Sequence, residues 1–262
     1  MCLIVAKPRG VPIPSKKNLK KWFNTYPDGF GVAFQYDGRV RILKGAMSIK
    51  QMHKILQQVG ELCVDNGAGV DMVMQYRQAF TGSVCPEYCH PFPVTSSQTA
   101  LDSLDVVSDC ALAHNGVIWE YNSRYTKKQT DINDAQEFIK DYLVPMGSSI
   151  WNKGVQDLIE SYTDSKFALL TAKGITYIGD FIEENGYFYS NGGYKGNKYI
   201  AGDYGSYKDY LYEPYESGGI LCTLCGEYSS FMYQIEDDDS LVCSICFAQL
   251  IGRAPREDER EY

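Results

Sequence analysis

The chain has 262 residues, 44% of them hydrophobic and 22% charged, and carries a net charge of −8. That length suits one sizeable core plus a small second module, and the composition is that of a globular protein. The acidic balance argues against a sequence-independent grip on nucleic acid, which needs a basic surface. No run approaches the ~18 apolar residues of a membrane span.

The chain opens MCLIVAKPRG. Its apolar start, Leu3 to Ala6, is too short for a signal peptide, so a cytoplasmic location with reduced thiols is expected. Cys2 itself has two readings: the edge of a buried strand, or a nucleophile that becomes the first residue once Met1 is removed. The one dense basic cluster, Lys16, Lys17, Lys20 and Lys21, reads as the wet face of a short helix opened by Ser15. Phe30 to Tyr36 and Arg39 to Leu43 flank the Asp37-Gly38 turn as a hairpin. Ser48 opens an amphipathic helix with Ile49, Met52, Ile55, Leu56 and Val59 on one side, leaving His53 on the surface.

Val70 to Tyr76 and Cys110 to His114 read as buried strands. Thr130-Asp131 is expected to cap a helix whose apolar face is Ala135, Phe138, Ile139 and Tyr142, and a second helix is expected from about Ser149 to Tyr162. Strands then return at Phe167 to Thr171, Ile175 to Ile178 and Tyr187 to Tyr189, punctuated by Lys173-Gly174 and Asn185-Gly186. Strands, two helices and strands again indicate layered α+β.

The nine cysteines fall into two groups. Cys222-x2-Cys225 and Cys243-x2-Cys246 have the spacing of a four-cysteine zinc ribbon over 219–250, with one structural Zn2+ per chain and no open coordination position. Zinc binding worth on the order of 10 kcal/mol supplies the folding free energy such a small module lacks. Residues between the pairs, Tyr228 to Ile235, suit a hairpin, and the acidic run Glu236 to Asp239 turns the ribbon away from phosphate. A Tyr- and Gly-rich connector is expected over 194–218 and a charged tail over 251–262. Cys85, Cys89 and His90 have ligand-like spacings but no evident fourth ligand, and read as an ordinary loop.

Four motifs stand in order before the ribbon. After Cys2 come Asn24-Thr-Tyr-Pro-Asp28-Gly29-Phe30-Gly31, Gln75-Tyr-Arg77-Gln-Ala79-Phe80-Thr81-Gly82 with Cys89-His90-Pro91-Phe92, Ala113-His114-Asn115-Gly116 with the later Asp131, and Tyr189-Ser190-Asn191. In this order they resemble the glutaminase domain of class II glutamine amidotransferases, members of the N-terminal nucleophile hydrolases. The resemblance covers 2–193 and implies a four-layer αββα sandwich.

It also implies roles. Cys2 is the nucleophile on the side-chain amide of glutamine, with its own α-amine as base. Asn115 and Gly116 form the oxyanion hole. Arg77 clamps the substrate carboxylate, Thr81 and Gly82 are further substrate-binding residues, and Asp131 receives the ammonium. His114 orients the Asn-Gly turn, and Asn24, Asp28 and Gly29 shape the turn around the nucleophile.

The chain departs from the family where Gln75 stands for a histidine and Phe80 for a threonine, which leaves open a different γ-glutamyl-type amide as substrate. A non-catalytic adaptor working through fold and zinc ribbon is the other alternative. Released ammonia implies an acceptor site on a protein partner, as for the free-standing domains of this kind in bacteria and bacteriophages.

Overall fold

The computed structural model describes residues 2–79, 83–121, 132–195, 220–224, 228–229, 232–234, 241–243 and 246. The chain divides into two compact units, Met1–Gly196 and Asn197–Tyr262.

The first unit is mixed α/β, built on two antiparallel sheets. The first sheet contains β1 (Leu3–Lys7), β2 (Phe30–Tyr36), β3 (Arg39–Ala46) and β4 (Met72–Tyr76). The second contains β5 (Phe92–Pro93) and, after β6 (Asp105–Ser108), β7 (Cys110–Asn115). β8 (Lys166–Thr171) and β9 (Gly174–Ile178) complete the second sheet, while β10 (Ile182–Glu184) and β11 (Tyr187–Tyr189) return to the first. The strand orders are β10-β11-β1-β4-β2-β3-β6 and β5-β7-β8-β9.

Period-two alternation sorts the side chains into three cores. Leu3 and Val5, Phe30, Val32 and Phe34, and Met72, Met74 and Tyr76 form one core with residues of two helices, α1 (Lys16–Thr25) and α2 (Ile49–Leu62). The opposite face of this sheet, Ile4, Ala6, Ala33 and Val73, packs on Ala111, Ala113, Ala168 and Leu170 of the second sheet. Alanines on both sides let the two sheets approach closely. The far face of the second sheet, including Phe92, Leu112 and Phe167, lies against Phe138, Ile139, Leu143 and Ile159. Among the described residues no helix is long and apolar enough to cross a membrane.

Ser15 and Ser48 cap α1 and α2 as their sequences indicate, each accepting a backbone N–H in the first turn. Other boundaries shift for identifiable reasons. β4 starts at Met72 rather than Val70, because the Val70 carbonyl is taken by Lys7 Nζ at 2.7 Å and Asp71 N–H by Gln35 at 3.1 Å.

After the short α3 (Gln98–Asp102), α4 (Asp134–Phe138) is capped by Asn133, not by Thr130-Asp131. Asn133 and Gln136 cap each other's backbone reciprocally, a stronger stop than a lone side chain. Both Thr130 and Asp131 lie outside the described residues. The helix continues through a π turn, Ile139–Leu143, into α5 (Val144–Met146).

A 3-10 turn, Gly147–Trp151, then replaces the expected start of the next helix, and Asn152 caps α6 (Lys153–Thr163). His53 is half-buried, with Nε2 enclosed and without a partner among the described residues, rather than lying on the surface. Tyr194, expected in the connector, belongs to the first unit: it stacks on Tyr189, and its carbonyl accepts from Trp22 Nε1 at 2.8 Å.

In the second unit, β12 (Ile220–Leu221) pairs with β13 (Tyr228–Ser229), and β14 (Met232–Gln234) with β15 (Leu241–Cys243). The stretch expected to fold on itself is thus divided, each half pairing with a strand at one cysteine pair.

Candidate active site and metal centre

Strand parity brings the candidate residues together. On β1, even positions face the second sheet, so Cys2 falls on the same side as Ile4 and Ala6. On β4 the odd positions do, which places Gln75 and Arg77 with Val73; on β7, Asn115 joins Ala111 and Ala113. The β1–β4 register ends at Leu3 opposite Tyr76, so Cys2 and Arg77 are the residues that follow the last pair at the same end of the ladder. Cys2, Arg77 and Asn115 therefore converge at one end of the space between the sheets.

Cys2 is half-buried, with Sγ 3.7 Å from the Gln78 carbonyl. Its own carbonyl accepts from Asn191 Nδ2 at 2.7 Å, and Asn191 Oδ1 accepts from Tyr26 Oη at 3.2 Å and Gly193 N–H at 2.9 Å. Burial, and secondly the nearby Cys2 sulfur, raise the Tyr26 phenol well above its ordinary range, so it remains a neutral donor. The sequence assigns no site role to Asn191 or Tyr26, although the Tyr189-Ser190-Asn191 motif marks the segment.

Arg77 is buried, and its Nη1 donates to the Ser83 carbonyl at 2.9 Å. The strand end carrying it is held by Asp28 and Gly29. Asp28 N–H donates to Arg77 O, Arg77 N–H to Gly29 O, and Asp28 Oδ2 accepts Ala79 N–H at 2.8 Å. Asn24 takes no part in this turn and stands exposed in the last turn of α1.

Asn115 is 5% exposed. Its Nδ2 donates to Ser190 Oγ at 3.2 Å, and Ser190 Oγ also accepts Ile4 N–H at 2.9 Å. Nδ2 carries two hydrogens and uses one on Ser190. Gly116 has φ +152°, and a Cβ there would fall 2.0 Å from Ser165 Oγ, so only glycine fits.

His114 fixes this wall: its Nε2 lies 3.1 Å from Ser165 Oγ, and its ring stacks on Phe167. Burial pushes the imidazole below its ordinary range against the pull of Asp134, leaving it neutral. His114 thus orients the turn from the helix-covered side of the sheet and does not face Cys2.

Thr81, Gly82, Phe80 and Asp131 lie outside the described residues, as do Met1 and Cys225. Cys85, Cys89 and His90 do not gather into a metal-binding group among the described residues. Cys89 is buried against Met47 Sδ at 3.7 Å, and burial raises its thiol to about 11. Its loop is tied down by Lys44, whose Nζ donates to Glu87 O at 2.6 Å and Leu101 O at 2.7 Å.

In the second unit the sulfurs of Cys222, Cys243 and Cys246 lie within 4.8 Å of one another, all buried, and are close enough to hold a metal ion. Cys243 N–H points at Cys222 Sγ, 3.2 Å away, as suits a thiolate. Among known proteins, no family model matches the chain and no curated protein is significantly similar to it.

Proposed function

We propose that the chain is an amidohydrolase of the class II glutamine amidotransferase kind. The first unit is read as a four-layer αββα sandwich, in keeping with its three cores, one between the sheets and one under each group of helices. The observation that carries the activity is the convergence of Cys2, Arg77 and Asn115 at one end of the inter-sheet face.

With Met1 removed, the Cys2 α-amine has a pKa near 8 and takes the thiol proton. Sulfur attacks the glutamine side-chain carbonyl, forming a C–S bond. The tetrahedral oxyanion is held by Asn115 Nδ2–H and Gly116 N–H, a type of contact worth ~10²–10³ in rate. Collapse breaks the C–N bond, and the ammonium form of the amine returns the proton to departing ammonia. Water then hydrolyses the thioester to glutamate and restores the thiol. Arg77 faces the α-carboxylate as a fork-shaped donor, and Asp131 receives the ammonium.

In the second unit, Cys225 is the fourth ligand that completes a tetrahedral Zn2+ site with Cys222, Cys243 and Cys246. The ammonia acceptor belongs to a protein partner.

The test is intact-mass measurement of protein from its native host, followed by incubation with glutamine. Loss of Met1, release of equal ammonia and glutamate, and silence of Cys2→Ala are expected. Retained Met1 refutes the mechanism. Correct processing with no ammonia from glutamine refutes the substrate.

A further inference from the structure

Gln75 is one of the two positions at which the chain departs from the family pattern, and its side chain is wholly buried. Its amide crosses from β4 in one sheet to β7 in the other. Oε1 accepts His114 N–H at 2.9 Å and Nε2 donates to the His114 carbonyl at 2.6 Å. The orientation is forced, since only the oxygen can accept the N–H and only the nitrogen can donate to the carbonyl.

There is a reason for this arrangement. β5 pairs with β7 only through Phe92 and Pro93, opposite Leu112 and Ala111, so the ladder stops two residues short of His114. A buried main-chain N–H and carbonyl without partners would each be costly. Gln75 supplies the pair of bonds that a longer β5 would have made.

His114 directly precedes Asn115 and Gly116, while Gln75 pairs with Ile4 and, by strand alternation, shares its face with Arg77 at the end of the ladder where Cys2 lies. We infer that Gln75 is a positioning residue: it holds the Asn115-Gly116 turn of one sheet at a fixed distance from Cys2 and Arg77 of the other. The inference rests on reading those residues as the thioester-forming site. On this view the departure at Gln75 replaces a titratable ring with a brace that does not titrate.

The full-length chain with Gln75→Leu or Gln75→Glu tests it. Leucine makes neither bond. A buried glutamic acid is held neutral by desolvation, and its carbonyl and hydroxyl then reproduce both bonds. Once ionised, it sets a charge against the His114 carbonyl.

With glutamine as substrate, Gln75→Leu is expected to lower kcat about 10²-fold, the scale of an ~1 Å misplacement of reacting groups. KM should stay within about twofold, because Arg77 is unchanged. Gln75→Glu should match the wild type at about pH 6 and fall away as pH rises, the ratio following one extra ionisation. Cys2, Arg77 and His114, the neighbouring titratable groups, are common to all three proteins and cancel in that ratio. Amide hydrogen exchange at His114 should be slow in the wild type and in Gln75→Glu at low pH, and fast in Gln75→Leu.

Unchanged kcat in Gln75→Leu, a ratio for Gln75→Glu that is flat with pH, or unchanged exchange at His114 overturns the inference. If Gln75→Leu fails to fold, the pH series of Gln75→Glu decides. If the wild type releases no ammonia from glutamine, the reading of glutamine as substrate falls by itself. Exchange at His114 then judges the brace alone: faster exchange upholds it and unchanged exchange removes it.

Discussion

Gly116→Ala probes the wall behind the proposed oxyanion donor. The added methyl would meet Ser165 Oγ at 2.0 Å, Ser165 Cβ at 2.7 Å and Ser165 Cα at 3.1 Å. Ser165 Oγ has no easy escape, since it donates to Thr163 O at 3.1 Å and lies 3.1 Å from His114 Nε2. The backbone adds strain, because φ +152° is a glycine conformation.

Strain of about 1–3 kcal/mol and overpacking of about 1–3 kcal/mol together give a loss of roughly 2–6 kcal/mol. For a unit of this size, ~2–4 °C per kcal/mol makes that a fall in Tm of roughly 4–24 °C. Thermal unfolding is the assay, and Gly10→Ala is the control: Gly10 has φ +87° but nothing within 4 Å of an added Cβ. It should show the strain without the clash. Adding Ser165→Gly to Gly116→Ala should restore the overpacking part. Equal losses for Gly116→Ala and Gly10→Ala would refute the close approach to Ser165.

Arg77→Lys keeps the charge but loses the planar fork, so KM for glutamine should rise about tenfold or more with a smaller change in kcat; steady-state kinetics with unchanged KM contradicts the clamp. Asn191→Ala frees the Cys2 carbonyl and leaves Tyr26 Oη and Gly193 N–H buried without their acceptor. A loss of about 1–3 kcal/mol is expected in denaturant unfolding, and no loss argues against that network. Burial lowers Lys44 from 10.5 to about 7. Across that window the unfolded chain binds more protons than the folded one, so stability rises with pH. Lys44→Met should flatten the rise, and an unaltered slope rules Lys44 out as its source. Elemental analysis should find one zinc per chain and none in Cys243→Ser; freshly purified wild type without zinc overturns the four-thiolate site.

Strand alternation made much of the first unit legible in sequence. The hairpin about Asp37-Gly38, the serine caps of α1 and α2, and the apolar runs of β2, β4 and β7 depend on local periodicity and turn chemistry, and they stand close to where these signals place them. The start of α4 is not legible in the same way, because Thr130-Asp131 and Asn133 all offer capping oxygens, and only the reciprocal bond with Gln136 decides between them. The burial of His53 escapes the sequence because position on a helical wheel describes its own helix, not what packs beside it.

Spacing by itself singled out the paired thiols at Cys222 and Cys243, whereas Cys2, Asn115-Gly116 and Arg77 became candidates only through the order of their motifs, which resembles the class II glutaminase pattern. A period of two also determined the face each strand residue would take. Only the tertiary structure decided that these faces meet. Antiparallel register put Cys2 and Arg77 at the same end of the β1–β4 ladder, and sheet stacking brought β7 within an amide's length of β4. Register and stacking are set by contacts between residues far apart in the chain, as between Cys2 and Asn191 or Gln75 and His114. No local pattern encodes that distance, which is why Gln75 reads as a departure in the sequence and as a brace in the fold.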